Sequence, residues 1–143
     1  MQRYFTLDEA QRLLPEIVEG LNRIKALREV CKQAEAEIQN TARRIVQLGG
    51  VRVDLEHLAG LKHRRDSSSA HIKEALESIQ AHGCLVKDIE AGLVDFPALY
   101  KGEEVSLCWK LGERGIGHWH GVEEGFRGRK PIDRDFLDHH EGD

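Results

Sequence analysis

The residue types that can carry chemistry are concentrated in one short part of the chain. The stretch VSLCWKLGERGIGHWHG, residues 105–121, holds Cys108, His118 and His120 together with both tryptophans. Thiolate, imidazole and carboxylate groups are the ligands that zinc takes in proteins, and a strand with an HxH pair directs both imidazoles to one side. The spacing therefore predicts a metal set of Cys108, His118 and His120, with zinc or another transition metal as the ion.

Two other interpretations of the same residues remain open. A cysteine beside an imidazole, with a carboxylate to orient that imidazole, is the group set of a thiol nucleophile. Cys108 lies in the middle of a predicted strand, however, and the sequence indicates no helix N-terminus or oxyanion loop beside it. The structural interpretation is that Cys108 packs as a small apolar side chain and that the histidines line a covered or half-exposed face of a sheet.

A second candidate feature is the basic segment GFRGR, residues 125–129. Arg127 and Arg129 lie on a glycine-rich loop, and a guanidinium can bind a phosphate or a carboxylate through two parallel hydrogen bonds. We therefore predict both arginines as ligand-binding residues at the rim of the sheet surface. The alternative is that they pair with nearby acidic residues, such as Glu123 and Glu124.

A small antiparallel β-meander of three to four strands is the element predicted to position these residues. Glycine-containing turns separate short runs rich in Val, Leu, Ile, Phe and Trp, and these runs predict strands at Leu85–Ile89, Leu93–Leu99, Glu104–Lys110 and Ile116–His120. Pro97 cannot donate a hydrogen bond to a neighbouring strand, so the second strand is predicted to be an edge or to carry a bulge there. Whether Lys87 or Asp88 flanks Asp95 is therefore left open.

The register of the two later hairpins sorts the side chains onto two faces, because directly opposed residues share a face. A three-residue loop at Gly112–Arg114 puts Cys108 opposite His118, and a two-residue turn at Lys101-Gly102 puts Asp95 opposite Cys108. The apolar residues then share one face: Val94, Phe96, Ala98, Val105, Leu107, Trp109 and Trp119.

The reverse face carries the reactive side chains. Asp95, Cys108 and His118 form one cross-strand row there, and His120 lies diagonal to that row at about 5–7 Å. We predict Asp95, Cys108 and His120 as ligand-binding residues, with Arg127 and Arg129 near the edge of the same surface.

A long antiparallel helical hairpin, resembling a coiled coil, is predicted before the sheet. Thr6 and Glu9 form a capping box at its start, and apolar residues follow at helical spacing as far as Leu48. Pro15 predicts a kink or a restart, and the Gly49-Gly50 pair ends the first helix.

The return helix is predicted over residues 54–82, and Gly60 and the serine run 67–69 leave open whether it is continuous in the centre. One chain of this size leaves an apolar stripe of such a hairpin uncovered, so the hairpin is predicted to form a homodimer.

Length and composition limit the class of protein. A chain of 143 residues forms one ordinary domain, and its net charge of −4 argues against a dedicated nucleic-acid binder. No apolar run is long enough to cross a membrane, and the three widely spaced cysteines form no disulfide framework, which favours the cytoplasm. The predicted organisation is α+β: a helical hairpin at 1–83, a small sheet at 84–124, and a basic loop with a flexible tail at 125–143.

Four ordered motifs carry a family resemblance. YFTLDEAQRLLPEI, GCLVKDIEAGLVDFPA, VSLCWKLGE and WHGVEEGFRGRKPI resemble the small bacterial proteins of domain-of-unknown-function family 2203, over Tyr4 to Ile132. The resemblance implies a helical first half, a compact second half and no established activity. It also implies recurring positions at Asp88, Asp95, Phe96, Pro97, Cys108, Trp109, Gly112, Glu113, Trp119, His120, Gly125 and Arg129.

The chain departs from the family pattern at His118, where the family tends to have an aromatic residue. This departure favours Asp95, Cys108 and His120 over a metal triad that needs His118. The sequence as a whole predicts a non-enzymatic binding or assembly module that dimerises through its hairpin. The alternative is a metal-binding protein, or a metal- or thiol-dependent enzyme, that uses the Asp95/Cys108/His120 face.

Overall fold

Two long helices packed against each other precede an antiparallel sheet, so the predicted α+β class is confirmed. The protein is represented by a computed structural model that describes residues 2–49 and 52–143, without the side chains of 52–54. Helix α1 spans Leu7–Leu48 and helix α2 spans Arg52–Gln80. Gly49 has a φ of 78° and follows the end of α1, as expected of a helix-terminating glycine, while Gly50 lies outside the described residues.

The capping box predicted at the start of α1 is confirmed. The Glu9 backbone N–H donates to the Thr6 hydroxyl at 3.2 Å, and the Thr6 backbone N–H donates to the Glu9 carboxylate at 3.1 Å. The helix then runs through Pro15 without a restart. Proline removes one helical hydrogen bond at about 3 kcal/mol, a cost that the burial of neighbouring Leu14 and Ile17 offsets.

The sequence leaves the continuity of the second helix open, and the structure shows α2 continuous through Gly60 and the serine run. Glycine in a helix interior costs only about 1 kcal/mol, which tertiary packing readily outweighs. Leu61 and Ser68 are both buried, so the region of weak propensity is held by contact with neighbouring side chains.

The chain divides into two compact units, a hairpin unit and a sheet unit. The hairpin unit consists of Asn22–Ala75, and its described regular structure is the second part of α1 and the first part of α2. Its two helices meet through an ion pair between Glu35 and Arg65 at 3.0 Å, and the Cys31 thiol donates to the Arg65 carbonyl at 3.5 Å. Three of the described residues that are buried in this unit are large and apolar, namely Ile24, Ile38 and Leu61. Three others are small or polar, namely Ala34, Thr41 and Ser68.

The sheet unit consists of Met1–Leu21 and Leu76–Asp143. Gly20 in α1 allows close approach to α2 here, because a Cβ at this position would lie 2.9 Å from the Ile79 side chain. The six strands of its sheet are β1 Leu85–Asp88, β2 Leu93–Tyr100, β3 Glu103–Lys110, β4 His118–Gly121, β5 Lys130–Pro131 and β6 His140–Glu141. They lie in the order β1-β2-β3-β4-β5, and β6 pairs with β2, so the predicted four-strand meander is extended by two short strands.

The register predicted for the two hairpins is confirmed: Asp95 lies opposite Cys108, and Cys108 lies opposite His118. The first strand differs from both alternatives, because Leu85 flanks Asp95 and an irregularity follows Val86.

Pro97 occupies the gap that β1 and β6 leave along one side of β2, since β1 pairs no further than Asp95 and β6 begins opposite Leu99. The backbone N–H of Phe5 donates to the Pro97 carbonyl there at 2.7 Å. β2 is therefore neither an edge strand nor bulged at Pro97, and the proline is accommodated because it has no strand partner on this side.

The segment predicted as a flexible tail contains regular structure. Helix α3 spans Arg134–His139, and the Asp133 carboxylate caps it by accepting from the Phe136 N–H at 2.9 Å. Phe136 is fully buried, with its ring centroid 5.0 Å from those of Tyr100 and Trp119. A six-residue helix shows too little periodicity to be recognised in sequence, and it is stable because its aromatic side chain is buried.

Candidate functional site

The two faces of the sheet differ in chemistry, as the register predicts, but both are covered. On the core face, Phe96, Leu107 and Trp109 are at most 1% exposed. On the reverse face, Asp95 and His120 are each 3% exposed although one is an acid and the other a base. Buried ionisable groups are expensive unless they are paired, so the reverse face is the candidate site.

Asp95, Cys108 and His120 converge on this face. One ligand atom from each residue lies within 4.8 Å of the others, and all three residues are buried. The imidazole of His120 reaches Asp95 directly, with Nε2 3.2 Å from each carboxylate oxygen. The sequence places His120 diagonal to the Asp95 row, and a long side chain closes that diagonal separation.

The hydrogen bonds of His120 identify its tautomer. Nδ1 lies 2.7 Å from the backbone oxygen of Gly121, which only accepts, so Nδ1 carries a proton. In a neutral ring the Nε2 lone pair then faces the Asp95 carboxylate, and two acceptors at this distance repel each other. A proton or a metal ion between Nε2 and Asp95 removes that repulsion. A backbone carbonyl on Nδ1 is also the usual partner that orients a metal-binding histidine.

Burial keeps Cys108 protonated at neutral pH. Loss of water raises the pKa of its thiol to about 11, the Asp95 charge adds to this effect, and Arg129 opposes it. A thiol nucleophile needs a lowered pKa, so this environment does not favour the interpretation of Cys108 as a catalytic nucleophile. A metal ion, in contrast, displaces the thiol proton when it binds.

His118 is not part of the converged set. Its Nδ1 lies 3.9 Å from a Glu113 oxygen, beyond hydrogen-bond distance, and within the described part of the chain this buried atom has no hydrogen-bond partner. Of the residues predicted to bind a metal, Cys108 and His120 therefore converge and His118 does not. The third residue that converges with them is Asp95. The family departure at His118 points to the same three residues.

The two predicted anion-binding arginines have different environments. Arg129 is held by Glu113 through two parallel hydrogen bonds of 3.1 and 3.0 Å, so the charge-pair alternative describes it, with Glu113 as the partner. Arg127 is exposed and has no carboxylate partner among residues 2–49 and 52–143.

Glu113 is the residue that sequence reasoning missed. Besides binding Arg129, its carboxylate accepts from the Lys110 backbone N–H at 2.8 Å and so closes the loop between β3 and β4. Its position in a glycine-flanked loop, together with its recurrence in the family pattern, was the available signal.

The segment after β4 is shaped by Glu124. Its carboxylate accepts from the Gly121 backbone N–H at 2.7 Å and from the Lys130 ammonium at 2.5 Å. Gly125, with a φ of 71°, then turns the chain into a short 3-10 helix at Phe126–Gly128, which contacts β4.

The donor set fits a transition metal. In a tetrahedral zinc site the ligand atoms are about 2.0–2.3 Å from the ion and hence roughly 3.3–3.8 Å from one another. A set of donors within 4.8 Å needs side-chain shifts of about 1 Å or less to reach that geometry. Three protein ligands leave one coordination position for water or another ligand.

The fold and the cluster together define an α+β protein with a buried Asp-Cys-His set on one face of its sheet. The family model described as "Uncharacterized conserved protein (DUF2203)" matches residues 3–132, so the chain belongs to this family. No curated protein and no solved structure matches it. Among the described residues, neither long helix has an apolar stretch sufficient to span a membrane.

Proposed function

We propose that this protein binds one divalent transition-metal ion, zinc in the first place, through Asp95, Cys108 and His120. The observation that carries the proposal is the convergence of three buried donor groups within 4.8 Å. The predicted metal set is thus revised, with Asp95 replacing His118. A location in the reducing cytoplasm, which the three free cysteines favour, belongs to the same proposal.

The donor atoms indicate which kind of ion would bind. Nδ1 of His120 is engaged by the Gly121 carbonyl, which leaves Nε2 as the only ring atom that can bind an ion. The mixture of thiolate, imidazole and carboxylate matches zinc or another borderline ion, whereas calcium and magnesium prefer oxygen ligands alone.

The test is a cobalt titration of chelator-treated protein. Co²⁺ in a tetrahedral site with one thiolate should give visible d–d absorption and a near-ultraviolet sulfur charge-transfer band, which saturate at one equivalent. Zinc should then displace the cobalt and abolish both signals. Zinc should also raise the thermal unfolding temperature, because a ligand at about 100 times its Kd stabilises the folded state by about 2.7 kcal/mol.

Cys84 offers a matched control. It is buried and free like Cys108, its pKa is likewise raised to about 11 by burial, and its thiol donates to the Ile79 carbonyl. The variant Cys84→Ser should keep the cobalt spectrum, and Cys108→Ser should lose the sulfur band. The proposal fails if wild-type protein binds neither ion in the micromolar range, in which case Asp95 and His120 form a proton-mediated pair.

A second candidate function is assembly, favoured by apolar residues at the turn end of the hairpin unit. Val46, Leu48 and Leu55 are 82%, 71% and 54% exposed, respectively. A second copy of the chain exposes the same apolar residues, and an isologous contact through this end of the hairpin would cover them on both copies. The predicted homodimer is kept in this form.

Sedimentation equilibrium tests the dimer. Wild-type protein should sediment as a dimer at tens of micromolar, and the double variant Val46→Lys/Leu48→Lys should sediment as a monomer. A control at an exposed apolar residue of the sheet unit, Val122→Lys, should remain a dimer. A monomeric wild type would overturn this candidate without affecting the metal proposal.

A further inference from the structure

A surface pocket of about 360 Å³ lies beside the 3-10 helix in the sheet unit, and Arg127 lines it. Its lining also includes Lys110 of β3, Leu93 of β2 and Phe126. Small-molecule sites in proteins commonly have volumes of this order and combine apolar walls with a few polar groups.

The pocket lies next to the buried cluster on the same face of the sheet. Leu93 and Lys110 are opposite each other in the β2–β3 pair, two residues along from the Asp95 and Cys108 pair. Side chains at i and i+2 share a face and are separated by about 7 Å along a strand.

The acidic groups of the pocket are already engaged. Asp88 accepts from the Ala91 backbone N–H at 3.1 Å. Glu124 accepts from Lys130 and from the Gly121 backbone, and these bonds hold the pKa of its carboxyl below the usual range. Neither acid therefore needs a cation from the pocket itself.

The two cationic side chains of the pocket, Lys110 and Arg127, are not paired with acidic groups of the described residues. The Lys110 ammonium lies 5.7 Å from the centroid of the Phe126 ring, and within the described residues neither Lys110 nor Arg127 forms an ion pair with a carboxylate. The second basic residue of the segment, Arg129, is occupied by Glu113, so the available guanidinium is that of Arg127.

We propose that this pocket binds a small organic anion, in which a carboxylate or phosphate group is attached to an apolar body. The anionic group would accept hydrogen bonds from Arg127 and Lys110, since guanidinium and ammonium groups bind such oxygens most strongly. The apolar body would contact Leu93 and Phe126, which is 38% exposed. The site is independent of the metal proposal, because none of the three cluster residues lines it.

The test uses chelator-treated protein, so that no metal contributes, with phenyl phosphate, benzoate and inorganic phosphate as probes. Amide chemical shifts report the location of binding, and isothermal calorimetry reports its strength. Phenyl phosphate or benzoate should bind with a Kd on the order of 1 mM and shift the amide resonances of Leu93, Lys110 and Arg127. The tighter of these two probes identifies the preferred anionic group. Inorganic phosphate should bind at least about fivefold more weakly than phenyl phosphate, because it lacks the apolar body.

Charge-matched variants complete the test. Arg127→Gln and Lys110→Gln should each weaken binding about tenfold, the usual effect of losing a hydrogen bond to a charged group. Arg134→Gln removes the same charge from the exposed surface of α3, whose Phe136 packs against the core-face residue Trp119, and it should leave the affinity within about twofold.

Three results would overturn the proposal: no binding of either organic probe, no loss of affinity in Arg127→Gln, or an equal loss in Arg134→Gln. Equal affinity for phenyl phosphate and inorganic phosphate would overturn the assignment of an organic ligand.

Discussion

The two faces of the sheet are built from the same strands, but different interactions stabilise them. The core face buries Phe96 and Leu107, and their stabilisation is proportional to the apolar area removed from water. The reverse face buries Asp95 and His120 to the same extent, although desolvation of each group opposes folding. Strand alternation therefore separates side chains by type, and burial on the reverse face is retained only because the groups partner each other.

The largest expected loss of stability comes from a substitution in the core face. Phe96 is fully buried and contacts Phe5 edge to face, with a centroid distance of 5.4 Å. Phe96→Ala should lower the free energy of unfolding by about 3–5 kcal/mol, because it removes apolar contacts and leaves a cavity. Urea denaturation followed by circular dichroism measures the change. A loss below about 1 kcal/mol would show that the aromatic packing contributes little.

The next largest loss of stability is expected from a substitution in the reverse face. Asp95→Ala, measured with chelator present, should cost about 3 kcal/mol because His120 is left buried without its partner. The double variant Asp95→Ala/His120→Ala should lose less than the sum of the two single variants. Glu123→Ala, at an exposed acid, should change stability by less than about 0.5 kcal/mol. Additive single losses would mean that the two groups do not depend on each other.

A smaller effect concerns the Glu113–Arg129 pair and its pH dependence. Burial raises the pKa of Glu113, but the bonds from Arg129 and from the Lys110 N–H outweigh burial and lower it below 4.5. A carboxyl with a lowered folded-state pKa stabilises the protein above its unfolded pKa, and this stability is lost as pH falls through the folded value. Wild type should therefore be more stable than Glu113→Gln by roughly 1 kcal/mol at pH 7, and this difference should disappear as the pH falls through the folded-state pKa of Glu113. A pH-independent gap would exclude this linkage.

The last prediction concerns the reactivity of the three cysteines and involves no change in stability. Burial raises the pKa of Cys84 and Cys108 to about 11, whereas Cys31 is partly exposed. A thiol reagent at pH 7 should therefore modify one cysteine quickly in the native protein and all three in denaturant. Mass spectrometry should identify the fast site as Cys31. Rapid labelling of Cys108 would show that its side of the sheet opens to solvent.

Several elements follow from local sequence signals. The Thr6/Glu9 capping box lies within four residues, and both hairpin registers follow from turn length and side-chain alternation. These features depend on near neighbours, so periodicity and spacing specify them. The pairing of Asp95 with Cys108 is one of them.

Other features depend on contacts between residues that are distant in sequence, and they could not be predicted from the sequence. The continuity of α2 through Gly60, the docking of Phe136 and the pairing of Arg129 with Glu113 are examples. Each has a weak local signal that tertiary contacts override.

By itself, the sequence determined the α+β class, the pairing of β2 with β3 and of β3 with β4, and the face on which Asp95, Cys108 and His120 lie, because turn chemistry and strand alternation are local properties. Only the tertiary structure decided that His120, and not His118, meets Asp95, and that of the two arginines only Arg127 remains available to a ligand. These choices depend on side-chain direction, on burial and on competition among charged partners. Such quantities arise only when residues distant in sequence are brought into contact.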